Sequence, residues 1–317
     1  MVSKNNFESI DKTIDGYFKV GINGVQSIMC SYDRKFYMIC FENGNHLMGI
    51  CTKKEFTTYY PLASTKVELP IKAILMDLDG TTLYSEDFWI SIIEKTVNNY
   101  FFNSIVKFTE DDYPFVSGHS VTEHLEYCKE KYRIPVELHE MMNVYQSISK
   151  EELKNISNMD GAYSITPAKY LKEFLFALKK KKIKIGLVTS GLYEKAYPEI
   201  LAVCNKLKIG KPEEIYDCII TTGYPLGAHN VGTLGELSAK PHPWLYLESL
   251  ISGLGLDLSD RNHVIGIEDS AAGVCALRSA GIPTIGITSG NIIRSGVDSL
   301  CNDMCSDLKE ILIKYIV

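Results

Sequence analysis

The sequence predicts an α/β protein: a parallel sheet with its helices, a helical insertion after the first strand, and a small, mainly β appendage ahead of it. Three observations predict this. After Pro167, helix-like and strand-like segments alternate almost to the C-terminus. A buried-strand run, Ile71-Lys72-Ala73-Ile74-Leu75-Met76, stands alone upstream and ends on Asp77. Between the two, residues 86–156 carry a helical pattern interrupted by Pro114, Gly118 and Pro135.

Residues 17–58 hold short runs of aromatic and β-favouring residues at 25–30, 36–41 and 46–51. Glu42-Asn43-Gly44-Asn45 joins the last two as a hairpin turn, because Asn-Gly tolerates positive φ. Residues 1–68 therefore form the appendage; they carry no chemical motif and nothing that names a protein partner. In the C-terminal part, an amphipathic helix over 170–181 leads into a strand over 183–188. Helices near 193–206, 244–253 and 271–280 then alternate with strands at 218–221, 263–267 and 284–287. Such βαβ units are right-handed and build a parallel sheet, whose ligands bind at the carboxyl ends of the strands.

With 317 residues, 45% of them hydrophobic and 23% charged, the chain has the composition of a soluble globular protein of two domains or so. Lys and Arg number 33 against 39 Asp and Glu, and the net charge of −6 argues against nucleic acid or an anionic membrane as the main partner. No stretch approaches the roughly 20 apolar residues of a membrane span. Residues 1–12 are polar and lack the apolar run of a signal peptide. The nine cysteines form no C-x-x-C pair, and Cys301 and Cys305 have no neighbouring His or Cys to build a zinc site. A cytoplasmic protein with reduced thiols is expected.

The residues at the predicted strand ends are Asp77 and Asp79, Thr189, and Glu268 and Asp269, with Lys240 ahead of Pro241. Singly, each is an ordinary turn or cap residue. Jointly they lack a Ser-His-Asp arrangement and suit phosphoryl chemistry: carboxylates hold Mg²⁺, while a lysine and a hydroxyl meet phosphate oxygens.

Four motifs in order carry a family resemblance. They are Asp77-Leu78-Asp79-Gly80-Thr81, Val188-Thr189-Ser190-Gly191, Lys240-Pro241-His242-Pro243, and Glu268-Asp269-Ser270-Ala271-Ala272-Gly273 running on to Ala280-Gly281-Ile282. Together they resemble the haloacid dehalogenase-like (HAD) hydrolase superfamily, in its helical-cap subgroup of phosphatases and β-phosphoglucomutase-like enzymes. The resemblance covers residues 70–317 and implies a Rossmann-like core from 69–83 and 165–317, with a helical cap over 84–164. It implies Asp77 as the nucleophile that forms an aspartyl-phosphate, and Asp79 as the acid and base. Thr189, with Ser190 and Gly191 beyond it, would meet phosphoryl oxygens, and Lys240 would neutralise charge shared by Asp77 and the phosphate. Mg²⁺ would be held by Asp77, Asp79 and Asp269, with Glu268 either a ligand or an acceptor supporting them. In the cap, Ser117-Gly118-His119-Ser120 resembles the substrate-contacting loop of this subgroup, with Gly118 and His119 meeting substrate or His119 merely capping a helix.

The resemblance also separates activities. Dehalogenases of the superfamily lack the second aspartate, so Asp79 favours phosphate esters. Phosphonate-cleaving relatives use a cap lysine as a Schiff base, and the one candidate over 84–102, Lys95, has no supporting neighbours. Phosphomutases place a histidine about ten residues past the second aspartate; here that position is Trp89, and the first cap histidine is His119. The expected activity is a Mg²⁺-dependent phosphatase acting on a small phosphorylated metabolite. A phosphomutase, or a binding module in which the appendage recognises a partner, are the alternatives. The connection 223–239, rich in glycine, is longer than usual for the family and is read as a flexible flap beside the site or a plain surface loop. His139-Glu140 lacks the second histidine of a zinc-protease helix, Gly253-Leu254-Gly255 is a helix-ending turn, and residues 179–182 are a solvated basic helix end.

Overall fold

The computed structural model describes residues 7–31, 34–51, 57–101, 105–109, 121–156, 165–222 and 238–317. It divides into two compact units, Met1–Thr82 with Ala168–Ala196 and Gly210–Val317, and Leu83–Pro167 with Tyr197–Ile209.

The first unit holds two sheets. Near the N-terminus, β1 (Phe7–Ile10), β2 (Val25–Ser31), β3 (Phe36–Phe41), β4 (His46–Cys51) and β5 (Thr57–Pro61) form an antiparallel sheet in chain order. The β3–β4 turn closes as its Asn-Gly pair predicts: Gly44 has φ of 81° and the Phe41 N–H donates to the Asn45 carbonyl at 2.9 Å. Side chains alternate across the strands. Val25, Ile28, Cys30, Tyr37 and Ile39 bury one face in a small core of its own. The other face puts Phe36, Met48 and Ile50 into one cluster with Ala271, Val274, Cys275 and Ile292 of the neighbouring α/β core. The appendage is thus packed onto that core, and residues 63–68 continue the contact: Arg278 Nη2 donates to the Ala63 carbonyl at 3.1 Å, and the Glu68 N–H to Asn262 at 2.8 Å.

The later strands are β6 (Ala73–Asp77), β7 (Leu83–Tyr84), β8 (Thr166–Pro167), β9 (Lys184–Leu192), β10 (Cys218–Thr222), β11 (Val264–Glu268), β12 (Thr284–Ile287) and β13 (Asp303–Cys305). Among the described residues, six of them form a parallel sheet in the order β10-β9-β6-β11-β12-β13. β6 and β11 are buried along their whole length, as their unbroken apolar runs require of central strands covered on both faces. Ala73 and Leu75 face Leu245, Tyr246, Leu250, Ala276 and Leu277 in one cluster; each such leucine contributes about 1.5–3 kcal/mol by leaving water.

The second unit contains the helices Glu86–Asn98, Val121–Lys131 and Leu138–Asn155, with β7 and β8 paired antiparallel at its two chain crossings. Phe88, Ile92, Ile93 and Val97 are buried at helical spacing, as are Leu125 and Cys128. No helix among the described residues is long and apolar enough to cross a membrane, and all nine cysteines are free thiols.

Candidate active site

Register brings the motif residues to one level. In β6, Asp77 pairs with Val188 of β9, and Met76 with Ile267 of β11. The next residues along, Thr189 and Glu268, therefore flank Asp77 at the carboxyl ends of adjacent strands. Gly80 then turns the chain, with φ of 85°; a Cβ there would lie 2.2 Å from Asp269 Oδ2, so only glycine fits this turn.

Lys240 reaches into this group. Its ammonium has three N–H bonds, and all three are committed: to Asp77 Oδ1, to Glu268 Oε1 at 2.7 Å and to the Val188 carbonyl at 3.0 Å. Its main-chain N–H donates to Ser190 Oγ at 3.1 Å. Glu268 is fully buried and accepts from Tyr246 OH at 2.5 Å and from Ser270 Oγ at 3.0 Å as well as from Lys240. Asp79 is half-exposed, with Lys195 Nζ 3.9 Å from its Oδ2. Thr189 is buried, and its Oγ1 accepts from the Gly191 N–H at 3.0 Å.

The electrostatics are those of crowded carboxylates around one cation. Burial, then the nearby Glu268 charge, pushes Asp77 well above the usual carboxylate range, against the pull of Lys240. Asp269 is pushed up to about 7 by burial first and Glu268 second. Burial works against the Lys240 ammonium, but Asp77 and Glu268 override it and hold its pKa above that of a free lysine.

Three carboxylates around a single ammonium leave negative charge to be balanced. Asp77, Glu268 and Asp269 offer ligand atoms within 4.8 Å of one another, and Asp269 Oδ1 is buried with no hydrogen-bond partner among the described residues. An all-oxygen donor set of this kind fits a hard divalent cation.

Of the residues singled out from sequence, Asp77, Lys240, Glu268 and Asp269 converge, with Asp79 on the turn after β6 and Thr189, Ser190 and Gly191 at the carboxyl end of β9 beside them. Gly118, His119 and residues 223–237 lie outside the described residues. Sequence reasoning missed Tyr246, whose ring lies 5.0 Å from Lys240 Nζ and whose hydroxyl holds Glu268. It also missed Ser190 as the tether of the Lys240 backbone.

The chain matches known proteins in family and in fold. The haloacid dehalogenase-like hydrolase family matches residues 71–281, well over half of the chain. The protein belongs to that family, and its core is the HAD-like α/β fold. A phosphonoacetaldehyde hydrolase from Bacillus cereus is 25% identical over 49% of this chain and 48% of its own, so the match spans about half of that relative. A pyrophosphatase from Bacillus mycoides is 23% identical over 69% of this chain and 85% of its own. Among solved structures, a putative β-phosphoglucomutase from Thermotoga maritima superposes with a TM-score of 0.57 at 22% identity, covering 78% of this chain and all of that one.

Proposed function

We propose that the protein is a Mg²⁺-dependent phosphatase that hydrolyses a small phosphomonoester, a sugar phosphate or similar metabolite, through an aspartyl-phosphate on Asp77. The observation that carries this reading is the buried contact of Asp77 with Lys240, with the half-exposed Asp79 two residues further on. An Asp77 oxygen attacks phosphorus and the ester oxygen departs, taking a proton from Asp79. Asp79 then takes a proton from water, whose oxygen displaces the phosphate from Asp77. Lys240 balances charge at Asp77 and the transferring group, and the Thr189 hydroxyl and the N–H groups after it donate to the phosphoryl oxygens. Asp77, Asp269 and the Asp79 carbonyl would hold the Mg²⁺. Glu268, whose oxygens already accept from Lys240, Tyr246 and Ser270, serves chiefly to fix Lys240. When bound, the cation supplies positive charge opposite the developing negative charge on phosphate oxygens.

Residues 84–164 act in this reading as a cap that limits entry to small substrates, on a core of 69–83 and 165–317, with 1–68 as an accessory sheet. Two cap residues favour a phosphatase over its relatives' activities. Lys95 is ion-paired to Glu152 at 2.5 Å, so its side chain is engaged by that carboxylate and not presented to a substrate carbonyl for a Schiff base. Trp89 donates its indole N–H to Glu199 at 2.6 Å where a mutase of this subgroup would carry its histidine.

The test is phosphate release from a panel of small phosphomonoesters, with Mg²⁺ and then with EDTA, beside the Asp77→Asn variant. Metal-dependent release absent from the variant supports the reading. Release that persists in Asp77→Asn removes Asp77 as nucleophile, and no release from any compound refutes the phosphatase.

A further inference from the structure

A side chain of the N-terminal sheet reaches the segment that carries Lys240. Tyr60, on β5, is joined to Nδ1 of His242 by a hydrogen bond of 2.8 Å. Its ring also meets His242 edge-on at 5.9 Å and Trp244 at 6.1 Å. His242 stands two residues after Lys240, and both its neighbours are prolines, Pro241 and Pro243. Proline fixes φ, so this tetrapeptide has few soft torsions with which to absorb a shift of His242. The segment is held besides by bonds from the Lys240 N–H to Ser190 Oγ and from the His242 N–H to the Ala239 carbonyl, each of 3.1 Å, and from the Leu247 N–H to the Pro243 carbonyl at 3.0 Å. The same sheet braces the opposite side of the site: Phe36, Met48 and Ile50 cluster with Ala271 and Val274, on the helix that begins two residues after Asp269.

We propose that Tyr60 is a positioning residue: through His242 it sets the placement of the Lys240 backbone, so that the ammonium meets Asp77, Glu268 and Val188 together. The N-terminal sheet is then a built-in part of the catalytic framework. The proposal rests on the phosphatase reading for its kinetic consequence only. Misplacing a charge-stabilising group by a fraction of an ångström raises the barrier without weakening ground-state binding, so kcat falls while KM holds.

The experiment uses the full chain, p-nitrophenyl phosphate and Mg²⁺. Tyr60→Phe keeps the ring and removes the hydroxyl; kcat is expected to fall about tenfold with KM changed less than about twofold. His242→Ala is expected to do the same, and the double variant to be no slower than either single, because both delete one link. His242→Asn, whose side chain can present a polar atom where Nδ1 stood, is expected to restore most of kcat. Hydrogen exchange gives a readout independent of turnover: the Lys240 and His242 amides exchange faster in Tyr60→Phe, while those of β6 are unchanged. A wild-type kcat in Tyr60→Phe overturns the proposal, as does a double variant whose losses multiply. Should the unmodified chain release no more phosphate than Asp77→Asn, the phosphatase reading has failed, and exchange alone decides: faster at Lys240 and His242 upholds the positioning role, equal rates refute it.

Discussion

Glu268 Oε1 accepts from Lys240 Nζ at 2.7 Å, and the two side chains expose 0% and 5% of their surface. The ion pair is therefore out of water, and removal of one partner strands the other. Lys240→Met leaves Glu268 and Asp77 as uncompensated buried carboxylates, and the expected cost is about 3–5 kcal/mol in urea unfolding, with turnover lost. A variant as stable as the parent would show that the carboxylates neutralise themselves by protonation.

Asp77 presents the converse case. Burial and then Glu268 raise its pKa well above the ordinary range, so the fold bears the cost of keeping it ionised. Asp77→Asn removes that charge in the same shape. It is expected to abolish phosphate release and to raise the melting temperature of the metal-free protein by a few degrees. Loss of activity with a lower melting temperature would contradict this account of Asp77.

How far the site was legible depends on how each residue is used. β6 and β11 show themselves as continuous apolar runs ending in carboxylates. Tyr246 carries no such mark, because a tyrosine on a core helix reads the same whether its hydroxyl holds a catalytic carboxylate or a chance acceptor. β13 has three residues, too few for a periodic pattern, and β5, Thr57-Thr58-Tyr59-Tyr60-Pro61, has no alternation of apolar with polar residues. The segment 244–253, helical by pattern, is α-helical over Trp244–Glu248 and widens to a π-turn over Ser249–Gly253, where the Leu254 N–H reaches Ser249 at 2.8 Å. Packing of Phe36, Met48 and Ile50 on the helix Ala271–Ser279 is a long-range fact that local pattern does not encode.

The pH dependence follows from Asp269. Its folded pKa, pushed up to about 7 by burial and then Glu268, lies above the 3.8 of a free aspartate. The folded state then binds more protons than the unfolded one between those values, so this group's contribution to stability is present below about pH 4 and is lost as the pH rises to about 7. A divalent cation that pairs with the ionised form reverses the loss. Mg²⁺ is expected to raise the melting temperature more at about pH 8 than at about pH 5, and EDTA to abolish the difference. Equal shifts at both values would place the cation away from Asp269.

Gly273 tests the steric limits of the site. A Cβ at this position would sit 1.7 Å from Glu268 Oε1, inside the carboxylate that holds Lys240. Neither group can yield freely, because Glu268 is fully buried and Gly273 lies in the first turn of a buried helix. Gly273→Ala is expected to cost about 2–3 kcal/mol by overpacking and to lower kcat through displacement of Glu268. Thermal and urea unfolding check the first, steady-state kinetics the second, and an unperturbed enzyme would mean the helix start can shift outward without cost.

Lys95 separates phosphate-ester from phosphonate chemistry. Attack on a carbonyl to form a Schiff base needs an amine free to reach it, and Lys95 is engaged by the Glu152 carboxylate 2.5 Å away. The pair is partly exposed on the helices Glu86–Asn98 and Leu138–Asn155, so its contribution to stability is small, about 0.2–1 kcal/mol. Lys95→Met is accordingly expected to leave phosphomonoester turnover within about twofold of the parent and the melting temperature nearly unchanged. Treatment of the unmodified protein with phosphonoacetaldehyde and borohydride is expected to leave its mass unaltered, since no imine forms to be reduced. A stable adduct mapped to Lys95 would overturn the assignment and make carbon–phosphorus cleavage the activity to pursue.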